Sequence, residues 1–280
     1  MVPSTKSIIK ELFDEDKDNE IKEDIFERKK LQELKEKNSY SKSKNLNSNN
    51  KNWIQEVYRN DNYDIVDNEG GGDCLFATIR DAYKSIGKNV SVSDLRKILA
   101  NEVNEELFEN YKIIYDSIKD ELKNIERELR DLKRENNTLK KKTRNSNIAT
   151  ERKLYISQSK SIVEKHRELK VDYENTKELL EEYEFMENIE TLEDFREIIQ
   201  TCKFWGETWA ISTLERVLNM KLIILSKEAY ESGDINNIIQ CGQLNDTILQ
   251  EKGVFRPKYY IITSWLGMHY QLVDYNGKQI

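Results

Sequence analysis

Proline is nearly missing from this chain, at 2 residues in 280, and cysteine and histidine are scarce, at 3 and 2. With so little proline and no Gly-X-Y period, collagen-like and polyproline classes are excluded. An odd set of three thiols cannot close a disulfide framework, and Cys74, Cys202 and Cys241 are spaced like no zinc pattern. Neither a stapled secreted domain nor a metal module is expected, and no cofactor. No apolar run approaches 18 residues, so no membrane span is expected. The opening stretch, MVPSTKSIIKELFDEDKDNE, lacks a basic segment followed by a long apolar one, and lacks a small-residue cleavage site. It is not read as a signal peptide. Together with free thiols this points to a reducing, cytoplasmic setting.

Charge is what the chain has in excess. Asp, Glu, Lys and Arg make up 35% of the residues against about 25% in an ordinary globular domain. Part of the chain should therefore be long solvated helix or disorder. The net charge of −7 argues against a generic binder of phosphate backbones, so no nucleic-acid partner is expected.

Four stretches differ in character. Residues 1–52 read as a helical or disordered extension. Charge-dense helix is expected from about Ile21 to Lys37, and SYSKSKNLNSNNKN (39–52) reads as a linker and domain boundary. Residues 53–103 look globular: YDIV (63–66) suggests a strand, NEGGG (68–72) a turn, Cys74 to about Ile86 a helix, and the Ser91–Ser93 region opens another. Residues 104–184 carry heptad-like seams. Leu107, Tyr111, Ile114, Ile118, Leu122, Ile125, Leu129, Leu132, Asn136 and Leu139 recur at threes and fours. A weaker seam follows TRNSNIAT (143–150), through Tyr155, Ser159, Ile162, His166, Leu169, Tyr173, Thr176, Leu180 and Tyr183. Two such seams joined by a short loop read as an antiparallel helical hairpin; one arm of an intermolecular coiled coil is the rival. Residues 185–280 are globular again, with helices over 192–199 and 208–219, a buried strand KLIIL (221–225), and strands 258–265 and 269–275 joined as a hairpin. The whole is α/β (α+β): a small mixed sheet flanked by helices, over residues 53–280, interrupted by the coiled-coil hairpin.

Scarcity narrows the chemistry. Cys202 and Cys241 read as small packing residues, and His166 as a polar member of the hairpin seam. Cys74 differs, because it follows three glycines and Asp73 and opens a helix. Free N–H groups and the helix dipole stabilise a thiolate there. The glycines let backbone approach a substrate and can aim N–H groups at an oxyanion. A phosphate loop is the weaker alternative, since no Lys-Ser/Thr follows. His269 opens a strand after a glycine turn.

GGGDCLFATIRDAY (70–83) resembles the nucleophile motif of the ovarian-tumour (OTU) cysteine proteases, D-G-x-C-[LF]-[FY]. CKFWGETWAISTLERVLNMKLIIL (202–225) resembles their Trp-Gly-acidic turn, helix and buried strand, and MHYQLVDY (268–275) their His block, H-[YF]-x-x-[VI]. The three stand in family order over residues 53–103 and 185–276, outside the extension and the hairpin. The three-glycine form looks closest to OTU proteins of large DNA viruses, which would place the protein in host cytoplasm or virion. The resemblance implies a papain-like fold and a hydrolase of the ubiquitin conjugation pathway, a thiol protease that releases ubiquitin or a ubiquitin-like modifier. Cys74 would be the nucleophile and His269 the base. Backbone N–H groups of Gly72, Asp73 and Cys74 would form the oxyanion site. Trp205, Gly206, Glu207 and Tyr270 would line the groove for the modifier's tail. Ubiquitin or polyubiquitin would be the partner, with a further protein partner possible through the hairpin and none in a membrane.

Two positions depart from the family pattern. Gly71 stands where many members have Asp. Gln271 stands where the residue that orients the His is commonly Asp or Asn. Strand alternation puts His269, Gln271 and Val273 on one face, so Gln271 is the expected third member, with Asp67 and Asn276 as substitutes; Asp274 has the charge but faces the other way. The alternative to a deubiquitinase is a catalytically weak OTU fold that binds ubiquitin or serves as a coiled-coil scaffold.

Overall fold

The computed structural model describes residues 25–46, 51–206, 208–241 and 257–276. Helix α1 (Ile25–Leu46) is followed by α2 (Trp53–Tyr58), β1 (Tyr63–Val66), α3 (Cys74–Ser85) and α4 (Val92–Asn101). The long helices α5 (Glu105–Asn145) and α6 (Ala149–Glu182) come next. Then follow α7 (Leu192–Ile199), α8 (Thr208–Leu218), β2 (Met220–Ser226), α9 (Lys227–Ser232), β3 (Ile239–Cys241), β4 (Tyr259–Trp265) and β5 (Tyr270–Tyr275). Short polar residues set several helix starts. Asn52 with Gln55, Ser91 with Asp94, and Thr191 with Asp194 each exchange two bonds across the first turn, satisfying N–H groups that the helix itself cannot. No described helix is long and apolar enough to cross a membrane.

Residues 24–105 and 189–280 make one compact unit, and 106–188 belong to another. The first is a mixed α+β unit around a five-stranded sheet of order β1-β5-β4-β2-β3, in which β2 and β4 run parallel and every other pair antiparallel. The parallel pair is central and its side chains face packing on both sides, which is why β2 reads MKLIILS with little alternation. Helix α3 packs Leu75, Phe76 and Ile79 into the core, α4 Leu95 and Leu99, α7 Phe195 and Ile199, and α8 Leu214, all essentially solvent-free. Burial of each stabilises by about 1.5–3 kcal/mol. A second cluster joins Trp53, Ile54, Ile65, Leu225 and Val273 with Tyr40 of α1. The buried Glu215 carboxylate is satisfied twice, by Lys221 at 2.9 Å and by the Leu222 N–H at 2.8 Å.

The other unit is the expected antiparallel hairpin, turned by residues 146–148. Leu132, Leu139 and Ile162 form its apolar centre with Tyr155 and Leu169 alongside. Ser159 donates to Asn136 at 2.5 Å, and Lys165 pairs with Glu128. The seam of α6 is as expected, with His166 half-buried in it. The seam of α5 differs at one end: Phe108 and Tyr115 are buried, whereas Leu107 is half-buried and Ile114 is 40% exposed. Running through 108, 111, 115, 118, 122, 125, 129, 132, 136 and 139, it alternates strictly between three and four. The expected path through 107 and 114 breaks that alternation and drifts off the face.

Residues 39–46, read as linker, continue α1 instead, and α1 belongs to the sheet unit. Its polar composition hides this, because its contacts are made by Glu33, Glu36, Lys37 and Tyr40 rather than by an apolar stripe.

Candidate active site

The site is assembled from the β1–α3 loop, the N-terminus of α3, the β4–β5 turn, and one face of α1. Gly70, Gly71 and Gly72 all have left-handed backbone, at φ 72°, 69° and 88°. A β-carbon on Gly72 would meet the Cys202 carbonyl oxygen at 2.1 Å, so that position needs glycine for space as well as for φ. The loop delivers Cys74 as the first residue of α3, 4% exposed, with Sγ 3.8 Å from the Met268 carbonyl oxygen. Asp73 precedes it without capping the helix through its side chain. Its carboxylate turns instead to Arg96, 2.9 Å from Nε.

No sequence pattern singles out Arg96, yet it holds the loop that leads to Cys74. Its guanidinium is 2% exposed and also donates to the carbonyls of Gly72 at 2.9 Å, Ile199 at 2.9 Å and Phe204 at 3.1 Å. Burial lowers its pKa and the Asp73 carboxylate pulls the other way. Asn68 is the second clamp. Its Oδ1 accepts from Gly70 N–H at 3.1 Å, and its Nδ2 donates to Tyr270 O at 2.7 Å and Thr78 Oγ1 at 3.2 Å. It ties the loop to both α3 and β5.

His269 closes the β4–β5 turn, its carbonyl accepting from Leu266 N–H at 3.0 Å across Gly267 at φ 107°. The ring is solvent-free. Nε2 is 2.7 Å from Asp67 Oδ1, and Nδ1 is 2.6 Å from Glu33 Oε1 of α1. Sγ of Cys74, a ring nitrogen of His269 and a carboxylate oxygen of Glu33 lie within 4.8 Å of one another. Thiolate, imidazole and carboxylate are donors that zinc accepts. The contact between His269 and Glu33 is a direct hydrogen bond. Burial by itself would lower the His269 pKa, but hydrogen bonds with Asp67, Cys74 and Glu33 outweigh it and hold the ring up at about 10. Burial would raise the Asp67 pKa; hydrogen bonds from His269 and Gln271 and the charge of Lys37 hold it well below the usual carboxylate range.

Gln271 is solvent-free and on the face expected of it, but its partner differs. Its Nε2 donates to Asp67 Oδ1 at 3.0 Å, so the ring is oriented by Asp67 and Gln271 stands behind it. The β1–α3 loop passes beside β5 because the two strands pair, from Tyr63 with Tyr275 to Val66 with Leu272, and Asp67 is the next residue along. That pairing was the missing signal.

Of the three expected oxyanion donors, one has a partner within the loop. Asp73 N–H donates to Gly70 O at 3.3 Å, and Gly72 presents its carbonyl to Arg96. The loop N–H that meets an anion is that of Gly71, which donates to Glu33 Oε2 at 2.6 Å. Trp205 and Gly206 lie against the same loop and helix: a β-carbon on Gly72 would approach Trp205 Nε1 to 3.1 Å, and one on Gly206 would approach Leu75 Cδ2 to 2.2 Å. Tyr270 is half-buried, and burial together with the charge at Cys74 pushes its hydroxyl pKa up. Glu207 lies outside the described residues. Cys202 is half-buried behind Gly72, and His166 lies in the hairpin unit. No protein-family model matches the chain, and comparison with curated proteins and with solved structures gives no match either.

Proposed function

We propose that the protein is an OTU-type cysteine protease that hydrolyses the bond between the C-terminal glycine of ubiquitin, or of a ubiquitin-like modifier, and a lysine amine. The observation that carries this reading is His269, with the Asp67 carboxylate on Nε2 and a ring nitrogen within 4.8 Å of Sγ of Cys74 at a helix N-terminus. That is the base, nucleophile and orienting group of a thiol hydrolase. The chemistry follows. Cys74 gives its proton to His269, and the thiolate attacks the scissile carbonyl. The C–N bond breaks as imidazolium protonates the leaving amine, and water then cleaves the thioester with His269 again as base. Asp67 fixes the ring and stabilises its charged form throughout. Trp205 and Tyr270, beside the nucleophile loop and next to His269, would wall a channel narrow enough for a Gly-Gly tail. The three motif blocks that resemble the family support the papain-like assignment.

The test is a ubiquitin carrying a C-terminal alkyne electrophile. It should form one covalent adduct, at Cys74, and none with Cys74→Ala. Labelling at Cys202 or Cys241, or none in wild type and Glu33→Gln alike, would overturn the reading.

A further inference from the structure

We propose that α1 is a built-in plug of the catalytic site, with Glu33 occupying the position that the substrate's carbonyl, and later the product's carboxylate, must take. The inference rests on the protease reading for the identity of the substrate, but not for the plug itself. Glu33 is an acid on a helix rich in charged and polar residues, yet it is 2% exposed. Its two carboxylate oxygens are divided between the histidine, which must serve the thiol proton and the leaving amine, and a loop N–H that could meet a carbonyl oxygen. Oε1 is on Nδ1 of His269 at 2.6 Å, and Oε2 is on the Gly71 N–H at 2.6 Å. With Glu33 in place, Nδ1 bonds to a carboxylate, and the other ring nitrogen is held by Asp67. Both nitrogens then carry protons that face acceptors, and none is free to accept the proton of Cys74.

Neighbouring residues dock the same helix face. Glu36 Oε2 accepts from the Met268 N–H at 2.9 Å, within the turn that carries His269. Lys37 donates to the Asn68 carbonyl and pairs with Asp67 Oδ2 at 3.5 Å. Tyr40 seats the helix in the cluster of Trp53, Ile65 and Val273. The loop is shaped to admit Glu33: a β-carbon on Gly70 would come to 2.6 Å from its Oε1. Tyr40 and these polar contacts dock a helix that can be displaced, whereas α3 is embedded by Leu75, Phe76 and Ile79.

The experiment uses the full chain as wild type, Glu33→Gln, and the double variant Glu36→Ala/Lys37→Ala, which weakens docking without touching Glu33. Two rates are read on each: alkylation of Cys74 by iodoacetamide, located by mass spectrometry, and turnover of a fluorogenic ubiquitin C-terminal reporter. Both rates should rise about tenfold or more in each variant. Faster alkylation with no turnover in any form would sustain the plug and sink the protease reading. Unchanged or slower alkylation in variants that melt cooperatively would overturn the plug and make α1 a permanent part of the site. Amide hydrogen exchange of the wild type decides the matter even if a variant fails to fold. The α1 amides should exchange well before those of α3, and equal protection would overturn the proposal.

Discussion

Oδ1 of Asp67 receives both Nε2 of His269, at 2.7 Å, and the Gln271 amide, at 3.0 Å. One oxygen thus orients the His269 ring while the strand residue two positions beyond the histidine orients that oxygen. A graded series is expected in kcat/KM on a ubiquitin reporter. Asp67→Ala should lose about two decades or more, in the range of general-base catalysis. Asp67→Asn should lose less, because it keeps an acceptor but not the charge. Gln271→Ala should lose least, since Asp67 can keep its bond to the ring. Equal losses for Gln271→Ala and Asp67→Ala would return the orienting role to Gln271.

Cys74→Ala and His269→Ala should each abolish turnover, by about three decades or more. Cys202→Ala and His166→Ala should stay near wild type. Cys202 presents its backbone, not its thiol, to Gly72, and the partial burial and lysine neighbours that lower the His166 pKa belong to the hairpin. Inactivation by Cys202→Ala in a folded chain would displace Cys74 from its role.

The legible parts of the site were those set by local chemistry. A cysteine after three glycines and before a helix, and a histidine opening a strand after a glycine, are written in consecutive residues. Asp67 and Glu33 reach His269 across 202 and 236 positions, through the β1–β5 pairing and the docking of α1. No local pattern reports such contacts. The fold divides the same way. Helices α3, α4, α7 and α8 and strands β1, β2, β4 and β5 followed from periodicity and caps. The three-residue edge strand β3 leaves no mark in the sequence, because IQC is too short to show alternation. Helix α1 was stopped short, because Ser and Asn in 39–46 signal linker by composition while Tyr40 provides the anchor.

Arg96→Ala should both destabilise the chain and slow it. The substitution leaves the Asp73 carboxylate and three carbonyls without their donor, and breaking a buried ion pair from one side costs about 3–5 kcal/mol. The melting temperature should fall by several degrees or more, and kcat should fall further than KM rises, because the loop that holds Cys74 loses its tether. Arg96→Lys should recover stability only in part, since an ammonium cannot span the same fork of acceptors. A variant with wild-type melting would show that the loop holds itself.

Stability should pass through a maximum in mildly acidic solution. The His269 pKa rises from 6.5 unfolded to about 10 folded, so its contribution is complete below pH 6.5 and disappears as pH climbs through about 10. The Asp67 pKa is depressed from 3.8, so its contribution is present above that value and lost as pH falls through the folded value. Glu33, Asp67 and Cys74 face the ring directly, and Glu36 and Lys37 stand beside them. The difference in melting temperature between wild type and His269→Gln should be largest between about pH 4.5 and 6.5 and should shrink toward pH 10. A difference that grows with pH in that interval would mean that the ring is buried neutral.

Excision of the hairpin tests whether the sheet unit stands alone. None of the motif blocks, at 70–83, 202–225 and 268–275, lies within residues 106–188. Within the hairpin Leu132, Leu139 and Ile162 pack on one another. At its base the two strands of chain are already together, with the rings of Tyr111 and Tyr183 centred 6.2 Å apart. Replacing residues 112–178 by a short Gly/Ser linker therefore closes a small gap, and loop-closure entropy grows only as the logarithm of length. The shortened chain should melt cooperatively and turn over a minimal ubiquitin reporter within a few-fold of the full chain, because that substrate needs only the groove, Cys74 and His269. Polymeric chains should be cut more slowly if the arm serves as a docking element, and that difference, measured on the same preparation, separates recruitment from catalysis. An insoluble product would show that the arm is structural for the sheet unit. A folded product that has lost the minimal reporter would show that the arm builds part of the groove.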